Sequence, residues 1–369
     1  RVGEEERTIR IHHIHMEEDA GKSMHDTDGP YSQIDLNRAG VPLLEVVSEP
    51  DLRSAEEVDA FMSAMRQLVR YLEISDGNME QGSLRCDVNV SVRPAGSQQL
   101  GERCEIKNLN SMRYARRAIA YEVKRQIALI ESGGQVQQQT LNFDPNTGVT
   151  SPLRDKEDAH DYRYFPEPDL PPVLLSVDWL RKVQADMPVL PWQMRQRLSA
   201  DYGLPEYDVN LLTEEQAPAL FFIALAEHTP HYKAAANLMI NKVMPYAEEL
   251  SVPLSQFPVG AGQLAGFLQI IEEGKVSNSA AYQQLFPAMM EQPDAQPLAL
   301  AQSLNLLQTS NEDELEQLVD QVLAGHPDEV ARYRKGKKGL IGFFMGEVMK
   351  ASRGKADPKV TNELLRRKL

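Results

Sequence analysis

The stretch "IHMEEDAGKS", Ile14 to Ser23, sets Glu17, Glu18 and Asp19 side by side and follows them with Gly21 and Lys22. Three adjacent carboxylates repel one another, and a bound cation is a physical reason to keep them together. Magnesium takes oxygen ligands, commonly one or two carboxylates with phosphate oxygens, and phosphates in turn seek Lys, Arg and backbone N–H groups. Three further stretches repeat that mixture. "LRCDVNV" carries Asp87 and Asn89 with Arg85, and Arg93 lies just beyond; "CEIKNLNS" carries Glu105, Lys107, Asn108 and Asn110; "LRDKEDAHDYRYFPEPDL" carries Arg154, Lys156, Glu157, His160, Asp161, Tyr162 and Arg163. Each alone reads as a solvated polar face, whereas four together point to a site that handles metal and phosphate. Neither a Walker A loop nor a GxGxxG loop occurs, so a nucleotide would be held by metal and side chains. His12, His13 and His15 have no cysteine pair beside them, so zinc is not expected.

Helices and strands must position these groups. "SAEEVDAFMSAMRQLVRYLEI" opens with Ser54 and Glu57 in capping-box spacing, and Val58, Phe61, Met62, Met65, Leu68, Val69 and Leu72 follow at helical intervals. "NSMRYARRAIAYEVKRQIALIESGG" predicts a second helix, ended by Gly133 and Gly134, with Arg113, Arg116, Arg117, Lys124 and Arg125 on an exposed basic face. In "LRCDVNVSVRP", Leu84, Cys86, Val88, Val90 and Val92 alternate with polar residues, the pattern of a strand with one face in a core. "RIHHIHME" and "RCEIKNL" alternate less strictly. The expectation is a largely antiparallel sheet backed by helices, with a floor of acids, bases and amides. Because neighbours on a strand face opposite ways, Glu18 and Asp19 are expected to be supporting or structural residues rather than to share the role of Glu17.

Prolines in "DMPVLP" interrupt the pattern and predict a domain boundary between residues 186 and 191. Short helices separated by Pro and Gly turns follow, until "EQPDAQP" marks a second linker. The expected organisation is a mixed α+β domain over residues 1–186, an all-helical domain over 192–292 and a small helical tail over 299–369.

The chain of 369 residues is 42% hydrophobic and 25% charged, ample for packed cores. Two cysteines, Cys86 and Cys104, with no CxxC spacing, suit a reducing cytoplasm; no apolar run is long enough to cross a bilayer. The net charge of −15 argues against general nucleic-acid binding, but the average conceals an asymmetry. From Arg332 to Leu369 the chain is net +9, which leaves −24 on the rest. An acidic body with a basic end predicts a polyanion-binding tail. "RYRKGKKGLIGFF" sets Lys335, Lys337 and Lys338 ahead of a helix N-terminus, where cations and free N–H groups both meet phosphate. Lys350, Arg353 and Lys355 extend the same candidate polyanion-binding surface.

"IHMEEDAGKS", "DLNRAGVPLLEVVSEPD", "GSLRCDVNVSVRP", "EIKNLNS" and "DYRYFPEPDL" resemble the signature stretches of the B subunits of the bacterial aspartyl/glutamyl-tRNA amidotransferases, and the likeness runs from about Ile9 to the C-terminus. The resemblance implies a cradle of antiparallel sheet and helices, then a helical domain, then a tail that helps hold tRNA, which makes the basic surface a tRNA surface. It implies an ATP-dependent carbon–nitrogen ligase with glutamine as amido donor: the cradle phosphorylates the side-chain carboxylate of Glu-tRNA(Gln) or Asp-tRNA(Asn), and ammonia from a partner amidase, the A subunit, displaces the phosphate. A small C subunit is the third member of the assembly. ATP and Mg2+ are the implied cofactors. Glu17, Asp87 and Glu105 become the expected metal ligands, with Glu17, Lys22 and Asp87 catalytic and Lys22, Arg85, Lys107 and Arg154 on ATP or its phosphates. The family opens with a strand of the form G-L-E-V-H that this chain does not contain, which implies an incomplete metal site and an inactive isolated polypeptide. The alternative is a tRNA-binding adaptor whose acidic motifs are only structural.

Overall fold

The computed structural model describes residues 2–3, 5–25, 31–107, 109–153, 172–308, 312–352 and 354–369. It divides into two compact units, 1–188 and 189–369.

In the first unit, β1 (Ile11–Glu18) pairs antiparallel with β4 (Pro42–Ser48), so that Glu17 lies opposite Leu43 and Glu18 opposite Pro42. β2 (Lys22–His25) pairs antiparallel with β3 (Ser32–Asp35), with Lys22 opposite Asp35. An Arg10–Asp51 fork closes the open end of the β1–β4 pair: Arg10 Nε and Nη2 donate to the two Asp51 oxygens at 3.0 and 2.7 Å, and the Arg10 N–H adds a third bond. These bonds hold the Asp51 carboxyl down at about 2.

The helix α1 (Ala55–Tyr71) starts where its sequence demands, with the Ser54 hydroxyl accepting from the Glu57 N–H at 3.1 Å. The reciprocal half of the capping box is displaced by one residue, because Glu57 accepts from the Arg53 N–H. Its stripe is shallower than the periodicity predicts: Met62 and Tyr71 are buried, and Phe61, Met65 and Leu68 only partly so.

A third, four-stranded sheet runs in the order β5 (Val88–Val90), β6 (Cys104–Lys107), β7 (Gln139–Phe143), β8 (Thr150–Pro152). The expectation of largely antiparallel pairing holds for every strand pair but one, β6 and β7, which are parallel. The helix α2 (Met112–Glu131) lies between them and returns the chain to the same end of the sheet, which a parallel pair requires. Val88, Val90, Cys104, Ile106, Leu141 and Phe143 face α2 and form a core with its Ala115, Ala118 and Ile119. The strand read over "LRCDVNVSVRP" shrinks to three residues, because its partner β6 is itself only four residues long.

The expected basic face of α2 holds for Arg113, Arg116 and Lys124, which are exposed. Arg117 and Arg125 are part-buried instead: Arg117 lies over the Phe143 ring and donates to the Pro145 carbonyl, and Arg125 turns inward to Glu122. The last helix of this unit, Val177–Asp186, is capped by Ser176 and buries none of its side chains.

The second unit is helical. Its first helix, Pro191–Tyr202, begins on a proline, whose missing N–H costs nothing there, and ends on Gly203 at φ +62°. Helices Gln216–Ala226 and Ala261–Glu272 pack together, with Phe222, Leu225, Phe267 and Leu268 buried. Two π-helical turns, Met239–Val243 and Ala281–Leu285, sit just upstream of Pro245 and Pro287. Each contains the carbonyl four residues before its proline, the one the ring would strike in a regular α-helix, and the wider turn relieves that contact. The helix Pro297–Ser303 packs on Ala261–Glu272, so "EQPDAQP" is a turn beside the helical core rather than an entry to the tail. The tail's own core begins at Leu315 and joins Val319, Tyr333, Phe344, Val348, Leu364 and Leu365. Among the described residues no helix is long and apolar enough to cross a membrane.

A polypeptide of residues 189–369 is expected to fold without residues 1–188 and to unfold cooperatively, in one or two thermal transitions followed by far-UV circular dichroism, since its helical groups have cores of their own. A gradual melt without a transition would mean that it needs residues 1–188.

Candidate functional site

The polar face of the β5–β8 sheet is set by strand alternation. With Val88, Cys104, Ile106 and Leu141 turned to the core, Asn89, Glu105, Lys107, Thr140 and Asn142 must turn the other way, and register aligns them in two rows, Asn89–Glu105–Thr140 and Lys107–Asn142. Asp87, one residue before β5, joins this face. The Lys107 Nζ lies 3.4 Å from an Asp87 oxygen and 3.4 Å from a Glu105 oxygen, and the Thr140 hydroxyl donates to Glu105 at 3.1 Å. Partial burial would lower the Lys107 ammonium, but the two carboxylates outweigh it and raise it. One cation between two carboxylates leaves the cluster net negative.

The end of β1 makes a second cluster. One Asp19 oxygen accepts from Arg38 Nε at 2.8 Å and from Arg85 Nη2 at 3.0 Å, and the side chain is only 12% exposed. The bond from Arg38 holds the Asp19 carboxyl below its ordinary value against the opposing effect of burial, with Arg85 adding to it. Arg38 Nη1 also donates to the Gln81 carbonyl at 3.2 Å.

Of the residues singled out from sequence, Asp87, Glu105 and Lys107 come together, and Arg85 belongs to the Asp19 cluster. Glu17 and Lys22 lie on exposed strands, and among the described residues no group of three Asp, Glu, His or Cys side chains is placed to hold a metal ion. Glu17 therefore does not join Asp87 and Glu105 in a three-ligand set. Arg154, Lys156, Glu157, His160, Asp161, Tyr162, Arg163, Asn108 and Arg353 lie outside the described residues. Neither thiol is poised as a nucleophile: burial pushes Cys86 up to about 12, and it raises the buried Cys104 as well.

Sequence reasoning missed Arg38 and Glu122. Arg38 lies in the turn "NRAG", where no periodicity marks it. Glu122 reads as one more exposed acid on a charged helix, yet it is fully buried. It accepts from Arg125 Nε and Nη2 at 2.9 and 2.6 Å, from Gln126 Nε2 at 2.9 Å and from the Thr150 hydroxyl at 3.0 Å. Burial alone would raise its carboxyl, but these donors outweigh burial and hold it below the usual range. Its spacing from Ala115, Ala118 and Ile119 is the available signal, since it falls on the buried stripe.

In the tail, Lys335, Lys337, Lys338 and Lys350 are exposed, Lys355 is half-buried, and Lys338 lies 4.2 Å above the Tyr333 ring. A 3-10 turn, Lys338–Leu340, leads into the helix Ile341–Ala351. The terminal cations are committed elsewhere: Lys368 pairs with Asp320 at 2.7 Å and Glu316 at 2.9 Å, and Arg367 with Glu316 at 3.4 Å. The charge that the tail offers a polyanion is therefore smaller than its sequence count.

Glu122→Ala is expected to destabilise the protein by about 2–3 kcal/mol in urea unfolding, less than the ~3–5 of a wholly buried pair because Arg125 stays part-exposed. Glu122→Gln, which keeps the shape and an acceptor, should cost less.

Residues 1–181 match the family described as the GatB/GatE catalytic domain, and residues 220–369 match the GatB domain. Three curated relatives each carry the name of the B subunit of aspartyl/glutamyl-tRNA(Asn/Gln) amidotransferase. That of Myxococcus xanthus is 47% identical over 364 residues, covering 99% of this chain and 76% of the relative. That of Herminiimonas arsenicoxydans is 48% identical over 368 residues, covering 98% and 76%. That of Thermodesulfovibrio yellowstonii is 45% identical over 359 residues, covering 97% and 75%. The chain thus spans about three quarters of the length of these relatives.

Proposed function

This chain belongs to the family of aspartyl/glutamyl-tRNA(Asn/Gln) amidotransferase B subunits, and from that premise we propose that its first unit activates the side-chain carboxylate of Glu-tRNA(Gln) or Asp-tRNA(Asn) with ATP. A carboxylate resists attack by ammonia because its leaving group would be oxide. In the proposed step a carboxylate oxygen bonds to the γ-phosphorus of ATP as the bond to the bridging oxygen breaks and ADP leaves. Ammonia then attacks the acyl carbon, phosphate departs with the C–O bonding pair, and the nitrogen loses a proton to leave the amide. Glutamine supplies the ammonia through an amidase partner, the A subunit, and a small C subunit joins them in a cytoplasmic assembly.

The observation that carries this reading is the Lys107 ammonium 3.4 Å from both Asp87 and Glu105 on an open polar sheet face. Phosphoryl transfer depends on positioning and on stabilising charge, and this face offers both signs. Two carboxylates that already converge on one cation fit Mg2+, which completes its shell with phosphate oxygens and water. Asp87 and Glu105 would hold the ion, and its chemistry would be to neutralise charge on the phosphates. Lys107 contributes a cation of its own, and Lys22 is a second candidate phosphate contact.

In the full-length assembled enzyme, Asp87→Asn, Glu105→Gln and Lys107→Met should each lower tRNA-dependent ATP cleavage by about 10²-fold or more, the scale of one lost electrostatic group in such sites. Glutaminase activity of the assembly should persist. Cleavage within twofold of the parent in all three variants would overturn the reading.

The tail is proposed to hold tRNA through Lys335, Lys337, Lys338, Lys350, Arg353 and Lys355. Because each bound phosphate releases counterions, Lys335→Ala, Lys337→Ala and Lys338→Ala together should flatten the dependence of log K on log salt by about 0.7–0.9 for each phosphate no longer neutralised. At saturating tRNA, amidation should approach the parent rate. An unchanged salt slope with collapsed turnover would mean that these lysines position the tRNA or a partner rather than attract phosphate.

A further inference from the structure

We propose that Arg38 and Arg85, held by Asp19, form the anion subsite for the phosphates of the nucleotide, with Asp19 as the positioning residue. The inference rests on the phosphoryl-transfer reading above and adds to it a binding residue, Arg38, and a structural cause for the role of Arg85.

The argument begins with charge. Around Lys107 one cation meets two carboxylates, and the surplus is negative. Around Asp19 one carboxylate meets two guanidiniums, and the surplus is positive. The two clusters are joined through "RCD", with Arg85 in one and Asp87 in the other, only two residues apart. A cation-seeking group beside an anion-seeking group is the arrangement that a metal–phosphate complex requires.

Geometry supports the assignment. The Asp19 side chain is 12% exposed, whereas those of Arg38 and Arg85 are 41% and 53% exposed, so the carboxylate lies beneath two guanidiniums that reach solvent. Asp19 occupies one N–H on each arginine. A guanidinium has five, and Arg38 spends one more on the Gln81 carbonyl, so both forks keep donors for phosphate oxygens. Asp19 is itself fixed by backbone bonds, its N–H donating to Val41 O at 2.8 Å and its carbonyl accepting from Gly40 N–H at 3.0 Å. The 81–82 loop comes close enough to Arg38 that a Cβ on Gly82, already at φ +76°, would lie 3.1 Å from Nη1. Three segments distant in sequence, at the end of β1, in the turn after β3 and in the loop before β5, thus meet on one carboxylate. Holding guanidiniums in place before the substrate arrives avoids an ordering cost at binding.

The test uses the full-length assembled amidotransferase with ATP and misacylated tRNA. Arg38→Met and Asp19→Asn should each raise KM for ATP about tenfold or more, with kcat changed less and the thermal midpoint kept near that of the parent. Arg38→Lys should fall between Arg38→Met and the parent, because an ammonium keeps the charge but loses the fork. Since Asp19 acts through Arg85, the double variant Asp19→Asn/Arg85→Met should lose no more than the worse single variant. Additive losses, or a KM for ATP that Arg38→Met leaves unchanged, would overturn the proposal. If Asp19→Asn does not assemble, the exposed Arg38 pair decides the outcome alone. Should Asp87→Asn abolish cleavage while Arg38→Met leaves KM unchanged, only the subsite fails; should Asp87→Asn and Lys107→Met retain cleavage, the phosphoryl-transfer reading itself fails.

Discussion

The buried carboxylate of Glu122 ties α2 to three of the four strands in the β5–β8 sheet. It reaches β8 through the Thr150 hydroxyl, β5 through Gln126, whose Nε2 also donates to the Val90 carbonyl, and β6 through Arg125, which lies 3.7 Å from the Cys104 sulfur. Strands this short contribute few ladder bonds, so side-chain ties from the covering helix carry much of the register. A slip of one residue would send Glu105 and Lys107 into the core and Ile106 out of it. The chemistry proposed for the open face therefore depends on a charge hidden behind the opposite one. A buried carboxylate is costly unless its lone pairs are filled, and four donated bonds fill them here.

Between the two clusters, which Arg85 and Asp87 join across two residues of chain, the balance of signs reverses. Lys107 between two carboxylates and Asp19 beneath two arginines are each an incomplete neutralisation, and the residual charges are opposite. Neither cluster is the one-to-one pairing of a simple ion pair. Arg10 and Asp51 provide the contrast in the same unit: fork meets carboxylate with nothing left over, and the pair closes one end of the β1–β4 pair.

Local signals are legible where they act locally. Ser54 and Ser111 cap the helices that begin after them, and Gly133 at φ +85° lies just past the end of the second. Alternation in "RCEIK" correctly separates Cys104 and Ile106 from Glu105 and Lys107. The parallel pairing of β6 and β7 is not legible as periodicity, because alternation is the same in both directions and only the path of α2 decides it. Arg125 reads as exposed in sequence for a similar reason: a long cation looks solvated until a buried partner is known.

By itself the sequence determined which residues could carry charge to a site, where the helices start, and that the family is the amidotransferase B subunits, since long motifs such as "IHMEEDAGKS" and "GSLRCDVNVSVRP" survive as strings. Tertiary structure alone decided which of those charges meet. Asp87, Glu105 and Lys107 converge through strand register, while Asp19 gathers Arg38 and Arg85 from segments 19 and 66 residues away. Electrostatic pairing acts over a few ångströms in space and is blind to separation along the chain, so no spacing rule could have assigned those partners.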